Sequence, residues 1–434
     1  MNQLPNTKIP GAAENSSGGT CSGTAAHRPN RTKSRTAARA DVFTETDSRA
    51  ILLIFLVVIT MVAMAMRIAL FPIESGDYHQ FLHGWFTQLK EAGGIGGIGL
   101  EIGDYMPPYF YILALLTYLP VDDLVSIKLV SCIADILLAS LVFRLVRLRW
   151  RNPSYAAAAY CAVLFLPSVF LNSAAWGQCD AIFVAALLAF LYHADQGHSN
   201  RAVLWYAVSF VFKLQAVFLG PLVLYLLLKR RIRLRSVWIF PAVYLAACLP
   251  AVLMGRNLWS LLTVYFAQAG QYNLLAMFLP NPYTWFGDST SPALSRAGIF
   301  LAGGIVLCVL FFLWQHRHRL TRGLLLSLAL LFAILVPFLL PHMHERYYYP
   351  ADVLSVVFAF YYPKKWYVPA AVCTTSAYTV CHNLFGTDFI PVQYLSILIL
   401  AILLLVGRHV LTQLKRLRVN HTTRPAAKED DHAA

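Results

Sequence analysis

Charged side chains are scarce in this 434-residue chain: they make up 13% of it, whereas 58% of the residues are hydrophobic. A soluble domain carries about 25% charged residues, so a soluble globular protein is excluded. Apolar runs of about 18 or more residues recur along the chain, and each can span roughly 30 Å of hydrocarbon as a helix. These runs lack the alternation of β-barrel strands. An all-α, polytopic membrane protein is therefore predicted.

Acidic residues are the scarcer charged class, with 21 Asp and Glu against 35 Lys and Arg and a formal net charge of +14. Such an excess of positive charge could indicate a protein that binds nucleic acid. The basic residues, however, cluster at the ends of the apolar runs, as in the cytoplasmic loops of membrane proteins. We therefore expect the lipid bilayer, and no nucleic acid, as a partner.

The chain also lacks Cys-x-x-Cys pairs, and most of its eight cysteines lie inside apolar runs. We expect them to pack as small hydrophobic residues. A cleavable signal peptide is not predicted, because the first apolar stretch starts only near residue 50. Residues 1–48 are rich in Ser, Thr, Gly, Ala and Arg, which predicts a disordered cytoplasmic tail.

The basic clusters orient the predicted spans, because such clusters stay in the cytoplasm. Residues 49–411 are predicted to form a cell-membrane domain of about twelve spans, followed by a basic and then polar tail at 412–434. Both termini are predicted to be cytoplasmic. The predicted spans are 50–70, 124–143, 155–172, 179–194, two short helices within 203–228, 236–254, 297–314, 323–340, 350–362, 367–382 and 391–407.

The segment "MPPYFYILALLTYLP" at 106–120 is apolar but short, and it begins with two prolines. If it spanned the membrane, the basic run from Arg144 to Arg151 would lie outside the cell. We therefore predict a helix on the outer membrane surface. A second surface helix is predicted at 78–90, where Phe81, Trp85 and Leu89 recur at four-residue spacing.

With this orientation, the unusual polar groups all lie on the extracytoplasmic side. Asp77 comes directly after the first span. It is either a solvated acid before a surface helix or a general base at the bilayer surface. A hydroxyl group that attacks a sugar carbon needs one carboxylate to accept its proton.

The segment "GIGGIG" at 94–99 matches the spacing of a dinucleotide-binding loop. No strand precedes it and no βαβ pattern surrounds it, so that function is rejected. We expect a flexible external loop.

Two further segments could contribute to a site. Asp104 and Tyr105 precede a proline pair, where Asp104 could cap the surface helix or act as a second catalytic carboxylate. "AAWGQCDAIF" places Trp176, Gln178 and Asp180 at the start of a span, where Asp180 would complement the helix dipole. The same three side chains also suit sugar binding through an aromatic face, an amide and a carboxylate.

Lys213 and Gln215 lie near the middle of an apolar stretch. Cations in such settings mark functional partners, and an anionic lipid phosphate is the simplest one. The alternative is a lysine that extends to the membrane interface.

The segment "PHMHERYYYP" combines His342, His344, Glu345 and Arg346 with three tyrosines. Arg346 can form bidentate hydrogen bonds to a phosphate, and the histidines could add donors or a proton. The alternatives are an interfacial aromatic belt and a site for a divalent metal. No metal or other cofactor is required by the pattern.

An Asp after the first span, then "DYMPPYFYILALL", "WGQCDAIF", "FKLQAVFLGPL" and "HMHERYYYP", occur in this order. Together they resemble the bacterial mannosyltransferases related to GPI mannosyltransferase II, within the GT-C superfamily, over residues 50–410. The resemblance implies a multispan, GT-C-like enzyme that transfers a sugar, mannose by analogy, from a polyprenyl-phosphate donor. The transfer would take place on the extracytoplasmic face, with inversion, to a glycolipid, glycan or protein acceptor.

A transporter or flippase of lipid-linked sugars is the main alternative function. It would also need an outer cavity with cations, but it should show internal repeats and polar sites at the bilayer midplane. No repeat is visible, and Asp135 and Lys213 are the clearest intramembrane charges. A third possibility is an inactive scaffold subunit, for which Asp77 would be dispensable.

Overall fold

The computed structural model describes residues 31–316 and 320–422. The described residues divide into two compact units, one up to residue 53 and one from residue 54 onward. Helix α1, Arg31–Ala69, begins inside the segment that was predicted to be a disordered tail, and only residues 1–30 of that prediction lie outside the described residues. Once the apolar run nucleates a helix, each added residue brings one more hydrogen bond, so the helix extends through an Ala-rich stretch.

Short helices follow α1, and they pack on one another. They comprise a π-helical turn at Tyr78–Leu82, α2 at His83–Glu91 and α3 at Pro107–Leu116. Their buried apolar side chains form a separate small core that includes Trp85, Leu89 and Phe110. Helix α3 has ten residues, about 15 Å at 1.5 Å per residue, which is too short to span the bilayer. Both segments predicted as surface helices are therefore helical.

The prediction of a flexible loop at "GIGGIG" is wrong. Gly94–Gly99 forms a 3₁₀ helix in which Gly94, Gly97 and Ile98 are buried. A Cβ atom at Gly99 would lie 2.0 Å from the backbone oxygen of Met254. The glycines thus allow close backbone packing, and the segment is part of the fold.

The next helices are α4 at Asp123–Arg147, α5 at Pro153–Leu164 and α6 at Pro167–Phe170, which continues as a π-helical turn at Leu171–Ala175. The chain bends by 51° between α5 and α6. Pro167 lacks a backbone N–H and cannot continue the helical hydrogen bonds. The Leu164 carbonyl at the end of α5 accepts a hydrogen bond from Arg67 Nη2 at 2.9 Å.

Helices α7 at Asp180–Asp195 and α8 at Ser199–Phe212 pack extensively against each other. Lys213 is extended (φ −150°, ψ 138°) and separates α8 from a 3₁₀ turn at Leu214–Leu219 and α9 at Gly220–Leu228. This confirms the predicted break into two short helices. Helix α10 at Ile239–Leu253 and α11 at Leu258–Ala269 follow.

The remaining helices are α12 at Pro292–Gln315, α13 at Arg322–Leu339, α14 at Tyr349–Tyr361, α15 at Tyr367–Phe385 and α16 at Val392–Thr422. Helix α16 continues beyond residue 411, where the membrane domain was predicted to end. Two short strands, β1 at Ala276–Met277 and β2 at Met343–His344, pair in parallel. They join the loop after α11 to the loop after α13.

Within the described residues, six helices are long and apolar enough to cross a membrane, or seven if the bent pair α5–α6 is one span. The predicted count of twelve is not confirmed. Several predicted spans form shorter helices: α7 has 16 residues and α14 has 13. At 1.5 Å per residue, these helices reach only about 24 Å and 20 Å.

Candidate active site

A cavity of about 290 Å³ lies where the loops after α1, α11 and α13 meet the chain segments before α3, α7 and α9. Eight predicted site residues line it: Asp77, Asp104, Tyr105, Gln178, Gln215, His342, His344 and Arg346. The other four are buried behind the lining residues: Trp176, Asp180, Lys213 and Glu345. The structure therefore brings all twelve predicted residues into one region.

Asp77 lies at the start of the π-helical turn after α1, and its side chain is 23% exposed. Its Oδ2 atom accepts a hydrogen bond from Gln178 Nε2 at 2.6 Å and lies 3.5 Å from Arg346 Nη1. No hydrogen bond from a described residue reaches Oδ1. One carboxylate oxygen is thus held in place, while the other is available to a ligand in the cavity.

Lys213 forms a buried ion pair with Asp180 Oδ1 and donates to Gln178 Oε1 at 3.1 Å. Asn172 Nδ2 holds the other oxygen of Asp180 at 2.8 Å. The break between α8 and α9 places this lysine at the N-terminus of α7, so its charge is paired inside an apolar surrounding. Lys213 also lies 5.4 Å from the ring centre of Tyr105.

Arg346 lies among three carboxylates. Its Nη1 atom is 3.3 Å from Glu345 Oε1 and 3.5 Å from Asp77 Oδ2, and its Nε atom is 3.8 Å from Asp180 Oδ2. The Nε atom is buried and makes no hydrogen bond to a described residue. The guanidinium carbon lies 5.1 Å from the ring centre of fully buried Trp176. Aromatic and acidic groups therefore fix this cation at the cavity wall.

Glu345 is buried beside Arg346. Burial raises the pKa of its carboxyl, but the His344 imidazole 3.7 Å away and the charge of Arg346 outweigh that effect and hold the pKa below its usual value. The ionised form of Glu345 is therefore the stable one next to the guanidinium.

The pKa of Asp104 is shifted in the opposite direction. Burial raises the pKa of its carboxyl above the usual value, and a hydrogen bond with Gln268 and the charges of Lys213 and Arg346 only partly offset this. The two candidate catalytic carboxylates thus line one cavity in different surroundings.

The two histidines differ in their contacts. His342 uses both ring nitrogens, at 2.7 Å from Ser295 Oγ and at 2.7 Å from the Leu274 carbonyl. His344 lies edge-on to Tyr272, with ring centres 4.6 Å apart, and 3.7 Å from Glu345 Oε2. His342 therefore links two chain segments, whereas His344 packs beside the ion-pair cluster.

The alternative of a metal site at this segment lacks a suitable ligand set. Among residues 31–316 and 320–422, no group of three or more His, Cys, Asp or Glu side chains is arranged to hold a metal ion.

Three buried polar residues near the site were not predicted from the sequence. Asn172 contacts Asp180, Arg67 Nε binds Asp135 Oδ2 at 2.8 Å, and Lys128 binds backbone carbonyls before Asp77. A sequence signal existed for the two cations, because each interrupts an apolar run. Asn172 gave no comparable signal.

A family model for dolichyl-phosphate-mannose-protein mannosyltransferases matches residues 104–279. This match supports a membrane glycosyltransferase of the GT-C type. It covers less than half of the chain and includes Asp104, the Trp176–Asp180 segment and Lys213, but neither Asp77 nor Arg346. A search of curated proteins finds no match. The more specific relation to GPI mannosyltransferase II is not shown.

Proposed function

We propose that the chain transfers a sugar, mannose in the first instance, from a polyprenyl-phosphate donor to a hydroxyl group of a glycolipid, glycan or protein. The reaction takes place on the extracytoplasmic face of the membrane, with Asp77 as the general base. The observation that carries this proposal is the geometry of Asp77. One oxygen is fixed by Gln178 and Arg346, and the other has no hydrogen bond from a described residue.

The cavity suits a donor with an anionic head and an apolar tail. Arg346 lines it, and the side chain of this arginine is 12% exposed. Guanidinium groups bind phosphate oxygens well, because their donors match the spacing of those oxygens. The opposite wall is apolar and includes Leu214, Val217 and Phe218. Val217 is 41% exposed, so this wall reaches the outer surface of the protein, where an isoprenoid chain could lie.

The proposed reaction is a single displacement. The acceptor oxygen forms a bond to the anomeric carbon as the bond from that carbon to the phosphate oxygen breaks. Asp77 takes the acceptor's hydroxyl proton, and the polyprenyl phosphate leaves with the bonding electrons. Attack opposite the leaving group inverts the anomeric centre. Arg346 stabilises the negative charge that develops on the phosphate, and such electrostatic stabilisation is commonly the largest catalytic contribution.

The other residues position this reaction. Gln178 and Lys213 hold Asp77 and Asp180 in one hydrogen-bonded chain. Tyr105, Gln215 and His344 line the cavity, where they could contact the sugar or acceptor. Asp104 lines the same cavity, where its carboxyl could contact the sugar or the acceptor.

The test is sugar transfer by purified protein in liposomes. Radiolabelled polyprenyl-phosphate mannose and a membrane extract of acceptors are supplied to wild type, to Asp77→Asn and to Asp288→Asn. Asp288 is an exposed carboxylate outside the cavity, so its variant is the matched control. Loss of a general base costs about 10²–10⁴-fold in rate, and we expect this loss in Asp77→Asn only, with donor binding retained.

Two results would contradict the proposal. Equal rates for wild type and Asp77→Asn would remove Asp77 from the mechanism and direct attention to Asp104 or Asp180. Movement of the labelled lipid between leaflets, without transfer, would instead identify a flippase.

A further inference from the structure

Lys128 is a buried cation in α4 that plays no part in the proposed mechanism. It is fully buried, and its Nζ atom donates to the Phe71 carbonyl at 2.9 Å and to the Ile73 carbonyl. No carboxylate within the described residues forms an ion pair with it. Its partners are therefore backbone atoms of the segment that connects α1 to Asp77.

That connecting segment is also held from its other end. Ser75 Oγ donates to the Trp176 carbonyl at 2.8 Å and accepts from the Tyr78 backbone N–H at 3.2 Å. In the part of the chain that the structure describes, no β-strand pairs with this segment, and its path is fixed by local backbone turns together with these side-chain contacts. Asp77 lies directly after them.

The stem of Lys128 also packs next to the segment that carries Gln178. Gly177 has φ +79°, and a Cβ atom there would lie 3.8 Å from Lys128 Cγ. A positive φ is strained for residues other than glycine, so Gly177 makes this turn possible. Gln178, which follows it, donates to Asp77. Lys128 therefore bonds to one segment that holds the proposed base and lies beside the other.

Burial of the Lys128 ammonium group has an energetic cost, which suggests a functional role for this residue. A buried ammonium group costs several kcal/mol in desolvation, and an apolar side chain of similar volume would fill the space at lower cost. The hydrogen bonds to two carbonyls offset part of this cost, and the same bonds hold the segment that carries the carbonyls.

We propose that Lys128 is a positioning residue that sets the location of the Asp77 carboxylate. It acts through the backbone at Phe71 and Ile73 and through the packing of Gly177, without touching substrate. This inference rests on the proposed function for its kinetic consequence, but not for its structural one.

The kinetic test compares Lys128→Met, which keeps the stem and removes the donors, with Lys128→Gln, which restores one donor. A displacement of about 1 Å at a reacting group can cost about 100-fold in rate, so we expect kcat to fall about 100-fold in Lys128→Met. The KM for polyprenyl-phosphate mannose should change little, and Lys128→Gln should recover part of kcat. Ser131→Ala is the control, because buried Ser131 bonds only within α4.

A structural test does not depend on activity. Gly76 is exposed, and a Cβ atom added to it would have no neighbour within 4 Å, so a Gly76→Cys probe fits there. Its labelling by a membrane-impermeant maleimide is followed by peptide mass spectrometry. We expect labelling several-fold faster in the Lys128→Met background than with Lys128 present, and unchanged labelling in the Ser131→Ala background.

The outcomes separate the two proposals. Faster labelling without detectable transferase activity in any variant would support the positioning role while the proposed function fails. Unchanged labelling together with unchanged kcat in Lys128→Met would overturn the positioning role. If Lys128→Met does not yield folded protein, Ser75→Ala removes the second anchor of the same segment, and unchanged labelling and kcat there and in Lys128→Gln would likewise overturn it.

Discussion

Gln178 donates a hydrogen bond from Nε2 to Oδ2 of Asp77 over 2.6 Å, although 101 positions separate the two residues in sequence. The same amide accepts from Lys213 through Oε1 at 3.1 Å. The two partners require opposite ends of the amide, so its orientation is determined. Gln178 thereby couples the proposed base to the buried ion pair of Lys213 and Asp180.

The coupling through Gln178 predicts the behaviour of Gln178→Glu. A second carboxylate beside Asp77 disfavours ionisation of the pair, because like charges repel. We expect the acidic limb of the pH–rate profile of kcat/KM to move to higher pH, whereas Gln178→Leu lowers kcat without that movement. Identical pH profiles for Gln178→Glu and wild type would show that the amide does not contact the base during turnover.

Arg346→Lys should lower kcat about 10²–10³-fold, as loss of a key charge-stabilising donor does in other enzymes. A lysine has one compact charge and cannot face Asp77, Glu345 and Asp180 together as the planar guanidinium does. The measurement is steady-state transfer from the lipid donor. Arg296→Lys is the control, because exposed Arg296 bonds only within its own helix, α12. Equal losses in the two variants would argue against a specific role.

The Lys213–Asp180 pair predicts strong non-additivity in unfolding. Both side chains are 5% exposed, and removal of one partner leaves an uncompensated buried charge at a cost of about 3–5 kcal/mol. We expect Lys213→Met and Asp180→Asn each to lower the melting temperature markedly, and the double variant to lose less than the sum. The measurement is thermal unfolding in detergent, and additive losses would contradict a coupled pair.

Glu345→Gln tests the lowered pKa of Glu345. A carboxyl whose pKa is lower in the folded state contributes stability above its unfolded pKa, 4.5, and loses it as the pH falls through the folded value. We expect wild type to be more stable than Glu345→Gln near pH 7, with the difference shrinking below pH 4.5. Melting temperatures across this range provide the test. The exposed Glu91→Gln variant should show no such convergence.

Asp104→Asn should show the opposite trend. Its raised pKa means that the ionised form is disfavoured in the folded protein, so stability is present below the ordinary value, 3.8, and is lost as the pH rises through the folded value. An amide at this position avoids that loss. We expect the melting temperature of Asp104→Asn to exceed that of wild type by an amount that grows as the pH rises from 3.8 through the folded pKa and stays constant above it. A wild type that is more stable than the variant at pH 7 would contradict the burial argument.

Much of the helical framework could be predicted from composition. The first apolar helix, the paired short helices around Lys213 and the short helix that begins at Pro107 follow from apolar length, proline position and the placement of charge. The count of spans could not be predicted, because an apolar stretch such as 179–194 reads the same whether it crosses lipid or forms a shorter buried helix. The 3₁₀ helix at Gly94–Gly99 was not predicted either, since Gly94 packs against Thr117 and Tyr118 and Gly99 against Met254, which are distant in sequence.

For the candidate site, too, the sequence predicted some features and not others. Asp77, Asp180, Lys213 and Arg346 could be recognised as candidates because ionisable residues near or within lipid are costly and commonly functional. Their pairing could not be read from the sequence. Lys213 was expected to meet a lipid phosphate, yet it forms an ion pair with Asp180, and Arg346 already faces three carboxylates.

The sequence by itself determined that the protein is helical and membrane-embedded, and it identified the polar residues that such a protein must accommodate. Hydrophobicity and the scarcity of charge are properties of consecutive residues, so the sequence alone shows them. Only the tertiary structure decided that Gln178 holds Asp77, that Lys128 supports the segment before it and that His342 links α12 to the loop after α11. These contacts join residues tens to a hundred positions apart, and their geometry depends on where the helices break and pack.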